Sequence, residues 1–216
     1  MEDLEGTIWS RAALLEELVA LSRFLRSHGI RRTDRVAVAF PRGPQGAAAQ
    51  LAAAAACIGV PLSAADPQKA IEGHLATTSS RMLLVPRWGA EAAKSAAREL
   101  GIAILEISPV RPHQPRLLLP DAPGAGPLTF TSATEDFERP QPEDVALLHL
   151  PTPDGDWLPI SHRELALCAS QAGHRFALSR DDRCLSLLST WDPKASTEAI
   201  LSTLLAGGAV ICPDRI

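Results

Sequence analysis

The sequence predicts an α/β fold: a mainly parallel sheet with helices on both faces. Three observations lead there. Short apolar runs alternate with stretches of helical periodicity along most of the chain. Runs such as Arg35–Phe40 (RVAVAF) and Arg81–Val85 (RMLLV) are apolar at nearly every position, which suits strands covered on both faces. Gly, Pro and Ser punctuate the joints between them.

Leu14, Leu18, Leu21 and Leu25 recur at three- and four-residue spacing and define one apolar face of a helix from Ser10 to Ser27, with Gly29 as its stop. The strand at Arg35–Phe40 is broken by Pro41, Gly43 and Pro44. An alanine-rich helix follows and runs into a short strand around Val60–Leu62. A helix at Gln68–Thr78 leads to the strand Arg81–Val85, and a second alanine-rich helix at Glu91–Leu100 leads to the strand Ile102–Ile107. Residues 108–142 are rich in proline and read as a surface connection, with a short strand at Leu117–Leu119 or Leu128–Phe130. Regular structure resumes with a strand at Asp144–Leu150. Ser161-His-Arg-Glu164 forms a capping box that opens a helix to Phe176. A strand at Arg183–Leu188, a helix at Ala195–Leu205 ending at Gly207-Gly208, and a strand at Ala209–Cys212 complete the reading. The organisation expected is a first α/β half over 1–107, the connection over 108–142 and a second α/β segment over 143–216, together one continuous domain.

Composition narrows the function. The 216 residues are 46% hydrophobic and 21% charged, with a net charge of −4. That balance argues against a nucleic-acid partner, which needs a basic surface. The basic residues are 18 Arg and only three Lys (Lys69, Lys94 and Lys194), and there is no Tyr. Cys57, Cys168, Cys184 and Cys212 lie far apart in apolar runs with no metal-ligand spacing, so the expectation is inert, buried, reduced thiols in a cytoplasmic protein. The N-terminus MEDLEGTIWS lacks a signal-peptide pattern. Ala47–Leu62 reads as a helix running into a strand rather than a membrane span.

Several strings resemble a known family. Ser27-His-Gly-Ile-Arg-Arg-Thr-Asp-Arg-Val-Ala-Val38, Ala56-Cys-Ile-Gly-Val-Pro-Leu62 and Leu100-Gly-Ile-Ala-Ile-Leu-Glu-Ile-Ser-Pro109 are among them. So are Pro142-Glu-Asp-Val-Ala-Leu-Leu-His149, Leu178-Ser-Arg-Asp-Asp-Arg-Cys-Leu185 and Leu204-Leu-Ala-Gly-Gly-Ala-Val-Ile-Cys212. In order and spacing they resemble the AMP-forming acyl-CoA synthetases of the adenylate-forming (AMP-binding) superfamily, closest to the oxalate/fatty-acid CoA ligase branch. The resemblance implies the N-terminal subdomain of that fold, with ATP and Mg²⁺ as the ligands the family uses. The family's later Tyr-Gly-x-Thr-Glu segment, its hinge and its C-terminal domain with the catalytic lysine have no counterpart in these residues.

The resemblance also places a phosphate loop after the strand ending at His149, where the family has roughly His-Thr-Ser-Gly-Thr-Thr-x-x-Pro-Lys. Triphosphate binding needs inward backbone N–H groups, hydroxyls, glycines and a cation. Here the segment is Leu150-Pro-Thr-Pro-Asp-Gly-Asp156. Pro151 and Pro153 have no N–H to give. Asp154 and Asp156 bring negative charge, and no lysine is present. At an effective dielectric of about 20, two unit charges 4 Å apart interact by about 4 kcal/mol, so these carboxylates oppose phosphate unless Mg²⁺ bridges them. Thr152, Asp154 and Gly155 are the candidate remnant of the cofactor site. The alternative reading of Asp154-Gly155 is a tight turn between two strands. The family's Pro-Leu-Phe-His segment is replaced by Ser189-Thr-Trp-Asp-Pro-Lys-Ala-Ser196. No catalytic residue and no metal ligand is assigned, and no bound cofactor is expected.

The function implied is a truncated, degenerate acyl-CoA synthetase-like domain without catalysis of its own. It would serve as an interaction or regulatory module or stand as a gene remnant. The alternatives are one part of a split carboxylate/acyl-CoA ligase, or an acyl- or nucleotide-binding module without turnover. A protein partner or a second copy is expected on the face that further chain covers in the family, with no nucleic acid and no membrane.

Overall fold

The computed structural model describes residues 10–107, 139–152, 155–187, 192 and 195–213. The strand expected at Leu117–Leu119 or Leu128–Phe130 lies outside them. A six-stranded sheet runs in the order β4-β3-β1-β2-β5-β6. Its strands are β1 (Arg35–Val38), β2 (Ile58–Pro61), β3 (Met82–Pro86), β4 (Ala103–Ile107), β5 (Val145–His149) and β6 (Leu158–Ser161). All neighbours are parallel except β5 and β6, which are antiparallel. The sheet therefore joins strands from both halves of the sequence.

Helix α1 (Arg11–Ser27) starts where the Ser10 side chain accepts from the Ala13 N–H. It ends in a Schellman pair. Gly29, at φ +78, donates its N–H to the Arg26 carbonyl, and Ile30 donates to Leu25. Pro44 opens α2 (Pro44–Ala56), where its missing N–H costs nothing. Helices α1 and α2 share one core with the inward side chains Val36, Val38, Met82, Leu84, Leu105 and Ile107. Helices α3 (Gln68–Thr77) and α4 (Glu91–Glu99) lie on the other side. They pack Ile71, Leu75, Ala93, Ala96 and Ala97 against Ala37, Ala39, Leu83 and Val85. Consecutive residues of β1 and β3 thus feed opposite cores, as strands covered on both faces must.

Helix α5 (His162–Arg175) carries the expected capping box: Glu164 N–H donates to Ser161 Oγ, and the Glu164 carboxylate accepts from the Ser161 N–H. A second, two-stranded parallel sheet pairs β7 (Arg183–Leu185) with β8 (Ala209–Ile211). Between them, the helix expected over Ala195–Leu205 is divided. Ala195–Leu201 is π-helical and only α6 (Ser202–Ala206) is α-helical. A π stretch shifts the hydrogen-bond register by one residue, which apolar periodicity does not reveal.

Two expectations on the thiols need correction. Cys57 and Cys212 are buried, but Cys168 is exposed and Cys184 only half-buried. The reason is that α5 buries a narrow stripe, Leu165, Ala169 and Ala172, and Cys168 faces away from it. From the end of β7 onward the alternation is reversed from the usual pattern: Ser186 is buried while Leu185 and Leu187 are exposed.

Leu84→Ala is expected to cost about 2–5 kcal/mol in chemical denaturation, because Leu84 has no accessible surface. The same change at exposed Leu15 should stay within about 0.5 kcal/mol. Gly208→Ala should cost about 1–3 kcal/mol, since an added Cβ would sit 2.7 Å from the Asp182 carbonyl oxygen and 3.0 Å from that of Ser179.

Candidate functional site

The site predicted from sequence is the loop between β5 and β6, and its position begins with Asp144. The Asp144 carboxylate accepts from the Gln141 N–H at 2.5 Å and pairs with the Arg32 guanidinium. The Arg32 hydrogen bond, followed by that of Gln141, holds the carboxyl below its ordinary value. This contact fastens the start of β5 to the turn before β1. β5 then pairs with β2 through Gly59 and Leu147.

At the far end of β5, His149 is half-buried. Desolvation lowers its proton affinity, and the Asp192 carboxylate partly offsets this. His162, at the start of α5, is lowered chiefly by burial as well, against a hydrogen bond to Ala54 and the charge of Asp144. Ser161 is fully engaged in its cap, its hydroxyl 2.7 Å from the Glu164 carboxylate. It is therefore accounted for structurally.

The β5–β6 connection spans residues 150–157, longer than the two-residue turn expected at Asp154-Gly155. The strands it joins pair with His149 opposite Leu158, and the register shifts within β5 between Val145 and Leu147. Of the three candidate residues, Thr152 and Gly155 are brought together and Asp154 lies outside the described residues. Gly155 donates its N–H to the Thr152 carbonyl at 3.0 Å. A Cβ on Gly155 would meet Thr152 Oγ1 at 2.6 Å, so a larger residue there would make the Thr152 side chain turn away. The loop is then anchored by Trp157, whose ring meets His74 of α3 edge-on at 5.5 Å.

This loop does not fit a triphosphate. Gly155 spends its amide on the loop's own backbone, Pro151 and Pro153 have none, and the neighbouring Asp156 is acidic. Among the described residues, no group of three or more His, Cys, Asp or Glu side chains is placed to hold a metal ion. No helix of the described residues is long and apolar enough to cross a membrane.

A model of the AMP-binding enzyme family matches residues 3–150. The chain belongs to that family. A probable CoA ligase of Humulus lupulus is 28% identical over 207 residues, covering 93% of this chain and 38% of the relative. Among solved structures, apo MatB from Rhodopseudomonas palustris superposes with a TM-score of 0.81 at 20% identity, over all of this chain and 42% of MatB. VinN gives 0.74 at 19% identity over 99% of this chain and 52% of VinN. The nonribosomal peptide synthetase FmoA3 gives 0.67 at 22% identity over 93% of this chain and 20% of FmoA3. These neighbours establish the fold, and the chain spans about two-fifths of the CoA ligase and of MatB. The family match ends at Leu150, one residue before the prolines and carboxylates begin.

Burial holds His149 and His162 below the ordinary imidazole value of 6.5. Below that pH the unfolded chain takes up protons that the fold resists, so stability present above 6.5 is lost as the pH falls through it. The denaturation midpoint should drop between about pH 7.5 and about pH 5. The His149→Gln/His162→Gln double variant should flatten that drop, and an unchanged profile in the variant would contradict the assignment.

Proposed function

We propose that this chain carries the adenylate-forming scaffold without the adenylation chemistry, and acts as a non-catalytic interaction or regulatory module. One observation carries the reading: the loop that should cradle phosphates turns its Gly155 amide onto Thr152, and Pro151 and Pro153 have no amide N–H to offer. Favourable binding would need several inward amides and a cation at this place, and a carboxylate contributes the opposite sign.

A second reading, one part of a ligase completed by another polypeptide, has its own support. Parallel strands are normally covered on both faces. Leu185 at the end of β7 and Leu187 just beyond it face solvent, with Leu205 of α6 and Phe176 after α5 also exposed. Exposed apolar side chains favour a protein partner or a second copy where they form a contiguous patch.

Two measurements separate the readings. The isolated chain should show no thermal stabilisation at about 5 mM ATP with Mg²⁺, whereas a site filled to 100 times its Kd would add about 2.7 kcal/mol. It should also catalyse no pyrophosphate exchange with a panel of mono- and dicarboxylates. An acyl-adenylate from the purified chain would refute the first reading. Activity appearing only with a co-purified polypeptide would establish the second.

A further inference from the structure

The joint between β2 and β5 is where the two halves of the sequence meet in one sheet, and it is lightly built. β3 and β4 pair along their whole length, from Met82 and Ala103 to Pro86 and Ile107. β5 pairs with β2 at Gly59 and Leu147. The buried apolar side chains there are few and mostly small: Ala54, Ala146, Leu147 and Leu165, with Ile160 and Leu201 packed against them. Little apolar area therefore holds the joint shut. One group opposes closure. Gln50 of α2 is 4% exposed, and its side-chain nitrogen stands 3.4 Å from where a Cβ on Gly59 would sit. That nitrogen has no hydrogen-bond partner among the described residues. A buried donor left in this state favours opening, which returns it to water.

What fastens the joint is polar. Asp144, just before β5, pairs with Arg32 in the turn before β1 and accepts from the Gln141 N–H. Beside them His162 opens α5. Its backbone N–H donates to the Asp144 carbonyl at 3.0 Å, and its imidazole hydrogen-bonds the backbone of Ala54 in the last turn of α2. Arg32, Asp144 and His162 line one small cavity together with Ala54, Cys57 and Pro140. Three segments distant in sequence are thus tied at a single point.

The charge on the imidazole decides whether this arrangement holds. Burial is the main force against a proton on His162. The Ala54 backbone and the Asp144 carboxylate pull the other way, and the Arg32 guanidinium again opposes the proton. His162 also sits at the first turn of α5, the positive end of the helix. The other carboxylates of this region are engaged, Glu164 in the Ser161 cap and Glu143 with Arg163. Cys57, pushed up to about 12 chiefly by burial, stays neutral. A neutral ring fits this place and an imidazolium does not. Once the joint opens, the ring regains water and its ordinary value of 6.5.

We propose that the β2–β5 joint is an acid-released latch: a proton taken up by His162 frees α5 from the end of α2, and β5 parts from β2. β1, β3 and β4 stay folded, because their cores with α1 to α4 do not involve His162. Opening bares the Gly59 edge of β2, an unpaired strand edge that an extended chain can join. The device is independent of whether the loop after β5 binds nucleotide.

Hydrogen exchange of the full chain, read by mass spectrometry at about pH 7.5 and about pH 5.5 and corrected for the intrinsic rate, tests the proposal. Protection of β5, β6 and α5 should fall by about five- to tenfold, tenfold being roughly the most that one imidazole can supply over that range. β1 and β3 should keep theirs. His162→Gln retains an N–H for Ala54 but takes up no proton, so its protection should hold at both pH values. His149→Gln should lose protection like the parent. Asp144→Asn should loosen the joint already at the higher pH. The proposal is overturned if β5, β6 and α5 keep their protection in acid, if His162→Gln loses it as the parent does, or if β1 and β3 lose theirs along with β5.

Discussion

Coverage of both faces of the central sheet is the constraint on which the rest of this molecule depends. β1 lies between β3 and β2, and its side chains alternate between two separate cores. Val36 and Val38 need α1 and α2; Ala37 and Ala39 need α3 and α4. The small residues matter as much as the large ones. Ala48, Ala49, Ala52 and Ala53 have no accessible surface and bring α2 close to the strands. The same requirement sends the crossovers to opposite faces, α2 to one and α3 and α4 to the other.

Much of this was legible in the sequence because burial on two faces leaves continuous apolar strings. The runs at Arg35 and Arg81 could be little else, and Gly29 and Ser161 marked helix boundaries that the structure shows in detail. What escaped has physical reasons too. The exposure of Cys168 depends on how much of α5 is covered, which is a tertiary fact. The π-helical turns at Ala195–Leu201 leave no trace in periodicity. Thr152 and Gly155 were found through the family resemblance, and their backbone hydrogen bond became visible only in the structure. Arg32, Asp144 and His162 had no joint signal in a linear reading. They meet only once strand order is known.

The family match and the loop that follows it differ in what they contribute. The positions that the family match covers are those that make strands, helix ends and cores. Past Leu150 the chemistry changes: amides give way to prolines and hydroxyls to carboxylates. The fold tolerates this because the loop's structural duties are met by other means, by Trp157 on His74 and by the Ser161 cap.

The pairing of β2 with β5 has a consequence for how the protein is made. β2 is joined to β5 through Gly59 and Leu147, and β5 is fixed at its other end by Arg32 and Asp144. All of these contacts reach far across the sequence. At about 5–20 residues per second, a ribosome needs roughly 2–8 s to advance from Ile107 to Val145. During that interval the four-stranded part of the sheet can assemble while the edge of β2 stays unpaired, open to any extended chain nearby. Arg32, in the turn before β1, carries the charge that the Asp144 carboxylate meets when β5 arrives, so the ion pair can form only once the sheet's last parallel strand is in reach.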